Sequence, residues 1–178
     1  MPKNIRANIE TGAQIIIAIA VVIVAGVVVM RYLYPPQVNG GSMQQEAQML
    51  VGTQISVPNV DWQQNQKSLI FFLKKDCVFC KTSAPFYRQV IEEAQQRNVK
   101  WLAILPDPLD VGRDYVQSLE LPIENIQSAS LSSYKVPGTP ALLFVNNQGK
   151  VMGAWVGAPK GRETEMREEL IALFDGKR

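Results

Sequence analysis

Cys77 and Cys80 are the only two cysteines in the 178-residue chain, and histidine is absent. Two thiols separated by two residues can cycle between a dithiol and a disulfide, one attacking and the other resolving the mixed disulfide that forms. The lack of histidine excludes a Ser-His-Asp triad, a His-activated cysteine and any His-ligated metal. With two cysteines, a four-cysteine zinc site within one chain is excluded as well. Lys81 follows Cys80, so the usual c-type haem attachment signature is missing. Two other uses of the pair remain at this point. A structural disulfide closing so small a loop would stabilise little. Half of an intermolecular zinc site would need its other ligands from a second chain. We expect no metal and no cofactor.

The elements around the pair decide what it can do. Ser68–Leu73 is a short apolar run bounded by polar residues, which predicts a buried strand. Val78–Gln95 carries Phe86, Val90, Ile91 and Ala94 on one helical face. The cysteines therefore stand where a strand hands over to a helix N-terminus, whose unpaired N–H groups and partial positive charge favour a thiolate. Cys77, at the start of the helix, is the exposed nucleophile of this reading. Cys80, one turn further in, is the shielded resolving thiol. Lys74, Lys75 and Lys81 favour the Cys77 thiolate, and Asp76 opposes it while offering a helix cap.

Further along, Val99–Leu105 predicts a second buried strand, Val111–Leu121 a helix ended by Pro122, and Asn125–Ala129 a weaker strand. Ala141–Val145 and Val151–Val156 flank Asn146-Asn147-Gln148-Gly149, a hairpin signature. Arg162–Phe174 predicts a closing amphipathic helix, and Thr53–Trp62 an extra edge hairpin. Strands alternating with helices and followed by a hairpin give an α/β sheet covered by helices. Trp62, Trp101 and Trp155 read as packing residues.

Apolar residues make up 47% of the chain and charged residues 19%, outside the range of disordered proteins. The net charge of +2 gives no electrostatic case for nucleic acid. Thr11–Met30 is free of charge, and its 20 residues as a helix would span about 30 Å, the thickness of a bilayer core. Tyr32 and Tyr34 follow at the position of an interfacial aromatic belt. The residues after the run make a poor cleavage site, which favours an uncleaved anchor over a signal peptide. Lys3 and Arg6 on the N-side, against Arg31 alone on the C-side before Lys67, favour a cytoplasmic N-terminus. The expected organisation is a cytoplasmic stretch over 1–10, a transmembrane helix over 11–34, a flexible Pro-, Gly- and Gln-rich linker over 35–52, and a domain over 53–178 outside the cytoplasm, on the periplasmic or outer-surface side. Gln44–Leu50 could add a short helix against the domain.

Two distant motifs together carry a resemblance. The first is Cys77-Val78-Phe79-Cys80 behind an apolar strand, with Pro85 eight residues after Cys77. The second is Val136-Pro137-Gly138-Thr139-Pro140-Ala141-Leu142-Leu143-Phe144-Val145. With Gly149-Lys150-Val151 and Trp155-Val156-Gly157 matching a closing hairpin, residues 53–174 resemble the thioredoxin superfamily. The additional strand–helix–strand over 100–129 and the anchor resemble its redoxin, TlpA-like branch of membrane-anchored thiol–disulfide oxidoreductases. The resemblance implies a thioredoxin-like fold, a central mixed sheet with helices on both faces. It implies a redox-active Cys77–Cys80 disulfide and a cis Thr139–Pro140 bond facing it. The Thr139 backbone would then pair with an extended client. Implied partners are protein thiols and disulfides of the cell envelope and an upstream redox donor or acceptor. The chain departs from the pattern at Asp76, where tryptophan is common, and at Phe71, where thioredoxins carry a buried acid serving the second cysteine. Two alternatives belong to the same resemblance: a non-catalytic binding module using the Pro140 groove, and a peroxiredoxin-like thiol peroxidase. Against the latter, Leu73 and Lys74 stand where its proline-anchored loop would place other residues.

Overall fold

The computed structural model describes residues 20–26 and 40–177. The chain divides into two compact units, residues 1–38 and 39–178. In the first, residues 20–26 are helical and exposed. Most of the expected span over 11–34, and the expected cytoplasmic stretch over 1–10, lie outside the described residues. Among those described, no helix is long and apolar enough to cross a membrane.

The second unit is built in chain order from α1 (Gly40–Gln48), α2 (Trp62–Asn65), β1 (Lys67–Phe72), α3 (Val78–Gln96), β2 (Lys100–Leu105), α4 (Leu109–Ser118), β3 (Ile126–Ser128), a 3₁₀ turn (Leu131–Tyr134), β4 (Ala141–Asn146), β5 (Val151–Val156) and α5 (Glu163–Phe174). The sheet order is β3-β2-β1-β4-β5. β1 runs parallel to β2 and antiparallel to β4, and β2 runs parallel to β3. Two successive right-handed crossovers stepping in one direction across a sheet place their helices on the same face. Val116 of α4 accordingly joins α3 in the core of that face.

Burial follows the strand period of two. Leu69 and Phe71 of β1 face α3 and α5, among Tyr87, Val90, Ile91, Leu170 and Phe174. Ile70 and Phe72 face the other side, with Leu143, Val145, Ala47 of α1 and Leu50. β1 is buried on both faces because it lies in the middle of the sheet, which is why its sequence reads as a continuous apolar run.

Two expectations need correction. The flexible linker expected to run to residue 52 ends sooner, because residues 40–48 form α1 against β5. Gln44 Nε2 and Gln48 Nε2 donate to the Ala154 carbonyl over 3.0 and 2.8 Å, and the Val156 N–H donates to Gln44 Oε1 over 2.8 Å. The glutamines that suggested a solvated linker instead imitate a neighbouring strand. The edge hairpin expected over Thr53–Trp62 does not form. Its first residues pair with the start of β5, through Gly52 N–H to Val151 O and Val151 N–H to Thr53 O, 2.8 and 2.9 Å. Pro58 then removes a donor, and Asn59 turns the chain at a φ of 57°.

The hairpin between β4 and β5 forms as its turn residues dictate. Asn146 Oδ1 accepts the N–H groups of Gln148 and Lys150. Gly149 adopts a φ of 76°, and a Cβ there would lie 2.8 Å from the Trp62 ring.

Candidate active site

β1 delivers the chain to the site and α3 receives it. The Leu73 N–H still bonds the Ile104 carbonyl, extending the β1–β2 pairing by one residue. Lys74–Asp76 then leave the sheet, with Asp76 at a φ of 64°. Cys77 is the N-cap of α3 at φ −81°, ψ 103°. Its Sγ takes the place usually filled by a serine or aspartate oxygen and accepts the Cys80 N–H over 3.1 Å. The cap expected as a possibility from Asp76 is therefore supplied by the sulfur.

Cys77 and Cys80 form a disulfide, with their Cα atoms 5.2 Å apart. Cys77 is half-buried at the surface, whereas Cys80 has no exposed surface. An incoming sulfur can reach only the former. The second predicted motif arrives at the same place. The Thr139–Pro140 bond is cis, and the Thr139 carbonyl oxygen lies 3.6 Å from Cys77 Sγ. In the reduced state the Cys77 S–H can donate to that oxygen. The Pro140 carbonyl accepts the Gly157 N–H over 2.8 Å, tying the loop to the residue after β5. Cys77, Cys80, Thr139 and Pro140, 62 residues apart between Cys77 and Thr139, thus share one site.

Two opposing influences act on Cys77. The Cys80 N–H and the open end of α3 favour the thiolate, and the Thr139 carbonyl favours the thiol. Cys80 belongs to the buried apolar cluster that also holds Phe71 and Tyr87. Phe71 stands edge-on to Tyr87 with ring centres 5.5 Å apart, and neither ring is exposed. Burial pushes the Tyr87 hydroxyl far above its ordinary range. Among the described residues the only buried polar ones are Ser68 and Ser83, so no buried carboxylate accompanies Cys80 and desolvation opposes a charge there.

On its solvent side the disulfide borders a cleft of about 490 Å³ lined by Lys75, Cys77, Val78, Lys81, Tyr115 and Leu119 among others. Val78 and Phe79, the dipeptide between the cysteines, are 71% and 60% exposed, an apolar step beside the disulfide. Two residues near the site had no signal in the sequence. Tyr115 donates its hydroxyl to the Cys77 carbonyl over 3.4 Å, and Asp107 Oδ2 accepts the Lys75 N–H over 2.9 Å. Both contacts involve backbone atoms of the partner, which no side-chain pattern encodes.

A family model described as the AhpC/TSA family matches residues 43–154. No curated protein matches. Among solved structures, the chain is similar to a Chlorobium tepidum protein described as a thiol:disulfide interchange protein DsbE. That match has 17% identity and a TM-score of 0.52, and covers 63% of this chain and 82% of the other. It is similar to a thiol:disulfide interchange protein from Bacteroides sp., at 15% identity and a TM-score of 0.50, covering 67% and 82%. A third neighbour is the Xanthomonas campestris bacterioferritin comigratory protein, described for its alkyl peroxide reduction activity. It has 16% identity and a TM-score of 0.50, covering 62% and 81%. These likenesses are likenesses of fold.

Proposed function

The chain belongs to the AhpC/TSA family, and on that premise we propose that it is a membrane-tethered thiol–disulfide oxidoreductase acting on protein substrates of the cell envelope. One observation carries the reading: a Cys77–Cys80 disulfide at the N-terminus of α3, with Cys77 half-buried at the surface and Cys80 enclosed. In the reducing direction, the Cys77 thiolate attacks a client disulfide. An S–S bond to the client forms as the client's own S–S bond breaks, and one client thiolate leaves. The Cys80 thiolate then attacks Cys77 Sγ. The internal disulfide forms, the second client thiolate departs, and two electrons have passed to the client. The reverse sequence oxidises a client dithiol. Either direction needs an upstream donor or acceptor to reset the pair.

The Thr139 backbone beside Cys77 supports a short extended pairing with the client. The apolar run over 11–30, with its basic N-side flank, supports a single-pass anchor that holds the domain outside the cytoplasm.

A thiol-peroxidase activity would use the same exposed Cys77, and the Xanthomonas campestris neighbour shares the fold. One assay separates the readings. The reduced wild-type chain and its Cys77→Ser variant are mixed with a disulfide-bonded protein and, separately, with hydrogen peroxide. We expect thiol-dependent exchange with the protein, abolished in the variant. Oxidation by peroxide alone would favour the peroxidase, and inertness in both arms would favour a binding module. A reporter fused after Arg178 that works only in the cytoplasm would overturn the orientation.

A further inference from the structure

We propose that Asp107 and Tyr115, which lie outside the cysteine motif and the Pro140 loop, are positioning residues that clamp the loop carrying Cys77. The inference rests on the reading of Cys77 as the attacking sulfur.

The loop between β1 and α3 is gripped on both sides of Asp76. Before it, the Lys75 N–H donates to Asp107 Oδ2 over 2.9 Å; after it, the Tyr115 hydroxyl donates to the Cys77 carbonyl over 3.4 Å. Between the two grips, Asp76 holds a φ of 64°, a conformation uncommon for a residue with a Cβ. The grips come from one unit. Asp107 lies in the turn from β2 to α4, and its own carbonyl accepts Ser128 Oγ over 2.7 Å. The Gly112 N–H bonds the Pro108 carbonyl over 2.8 Å, so the turn passes directly into the helix that carries Tyr115. Tyr115 packs against the same core as Cys77.

The Cys77 carbonyl also accepts the Lys81 N–H over 3.2 Å, the first bond of α3. The tyrosine therefore uses the second lone pair, and α3 does not need it to complete its own ladder. A bond that the helix does not require, supplied from another element, fixes where the N-cap sits. What it fixes is the sulfur that accepts the Cys80 N–H.

The charged groups around Cys77 are Lys75, Asp76 and Lys81 along the cleft and Asp107 across it. Burial, together with the Asp76 and Asp107 carboxylates, raises the Tyr115 hydroxyl above its ordinary range, so the phenol remains a donor throughout the pH range of thiol chemistry.

The test is the pH dependence of Cys77 alkylation by iodoacetamide in the reduced full chain, read by peptide mass spectrometry. Tyr115→Phe keeps the ring and removes the donor. Its Cys77 should alkylate about 3- to 10-fold more slowly at neutral pH, the worth of one net hydrogen bond. Asp107→Asn keeps an acceptor oxygen for Lys75 and removes a carboxylate that disfavours the thiolate, so its rate should equal or exceed that of the wild type. Asp107→Ala loses both, and should be slower than Asp107→Asn by a similar factor. A wild-type rate in Tyr115→Phe, or equal rates in the two Asp107 variants, overturns the clamp. If Asp107→Ala fails to fold, the tyrosine variant decides alone. A wild-type chain inert toward protein disulfides would overturn the oxidoreductase reading, while the alkylation ratios would still decide the clamp.

Discussion

The Cys80 N–H donates to Cys77 Sγ over 3.1 Å, so in the proposed exchange the resolving residue also stabilises the attacking sulfur. The two cysteines differ in access as well, half-buried against fully enclosed.

On the proposed reading, that asymmetry sets the order of attack. In Cys80→Ser, Cys77 can still form a mixed disulfide and nothing displaces the client, so disulfide-linked adducts should accumulate. In Cys77→Ser they should be absent. Non-reducing gel electrophoresis after alkylation reads the difference; equal trapping by both variants would refute the order, and trapping by Cys77→Ser alone would reverse it.

Phe71 is fully buried on the α3 side of the sheet, in the same apolar cluster as Cys80. Phe71→Ala should destabilise the domain by about 3–5 kcal/mol, through lost transfer energy and the cavity left behind. Urea unfolding of the oxidised protein measures it. A loss below about 1 kcal/mol would mean that the surrounding rings collapse to fill the space.

Tyr87 gives the domain an alkaline limit. Its hydroxyl titrates higher in the folded chain than in the unfolded one. Above the unfolded value, near pH 10, the native state retains a proton that the unfolded state has released, so stability falls as pH rises. Tyr87→Phe removes that linkage, and its stability should fall less steeply above pH 10. Parallel slopes in the two proteins would refute the assignment.

Gln44 pins α1 by accepting the Val156 N–H and donating to the Ala154 carbonyl. In Gln44→Ala, amide hydrogen exchange at Val156 should accelerate, and stability should fall by about 1–2 kcal/mol, the range expected for two partly buried hydrogen bonds. Unchanged exchange at Val156 would show that α1 does not depend on this side chain.

The parts of the fold legible in the sequence are those whose signal is local. Ser68–Leu73 and Val78–Gln95 read directly as a buried strand and an amphipathic helix, against the observed Lys67–Phe72 and Val78–Gln96. Their junction placed the cysteine pair at a helix start without reference to any relative. Thr139 and Pro140 were different: a Thr-Pro in a loop carries no signal of its own, and only the resemblance drew it toward Cys77. α1 showed faintly because glutamines have no apolar period. What holds it are side-chain bonds to β5 more than 100 residues away. Asp107 and Tyr115 gave no signal because they grip backbone atoms, and their value depends on where α4 stands relative to the Cys77 loop.

The pairing of Gln44 and Gln48 with β5 has a consequence for company as well as for stability. β5 is one border of the sheet and β3 the other. An open border strand invites another chain to add on, which is a route to aggregation. At β5 the Ala154 carbonyl and the Val156 N–H are already taken by glutamine side chains. At β3 the strand is three residues long, and its Gln127 side chain donates to the Pro58 carbonyl. Both borders offer little to a second sheet. A domain proposed to accept extended client segments at the Thr139 loop is thereby kept from zipping to its neighbours along its flanks.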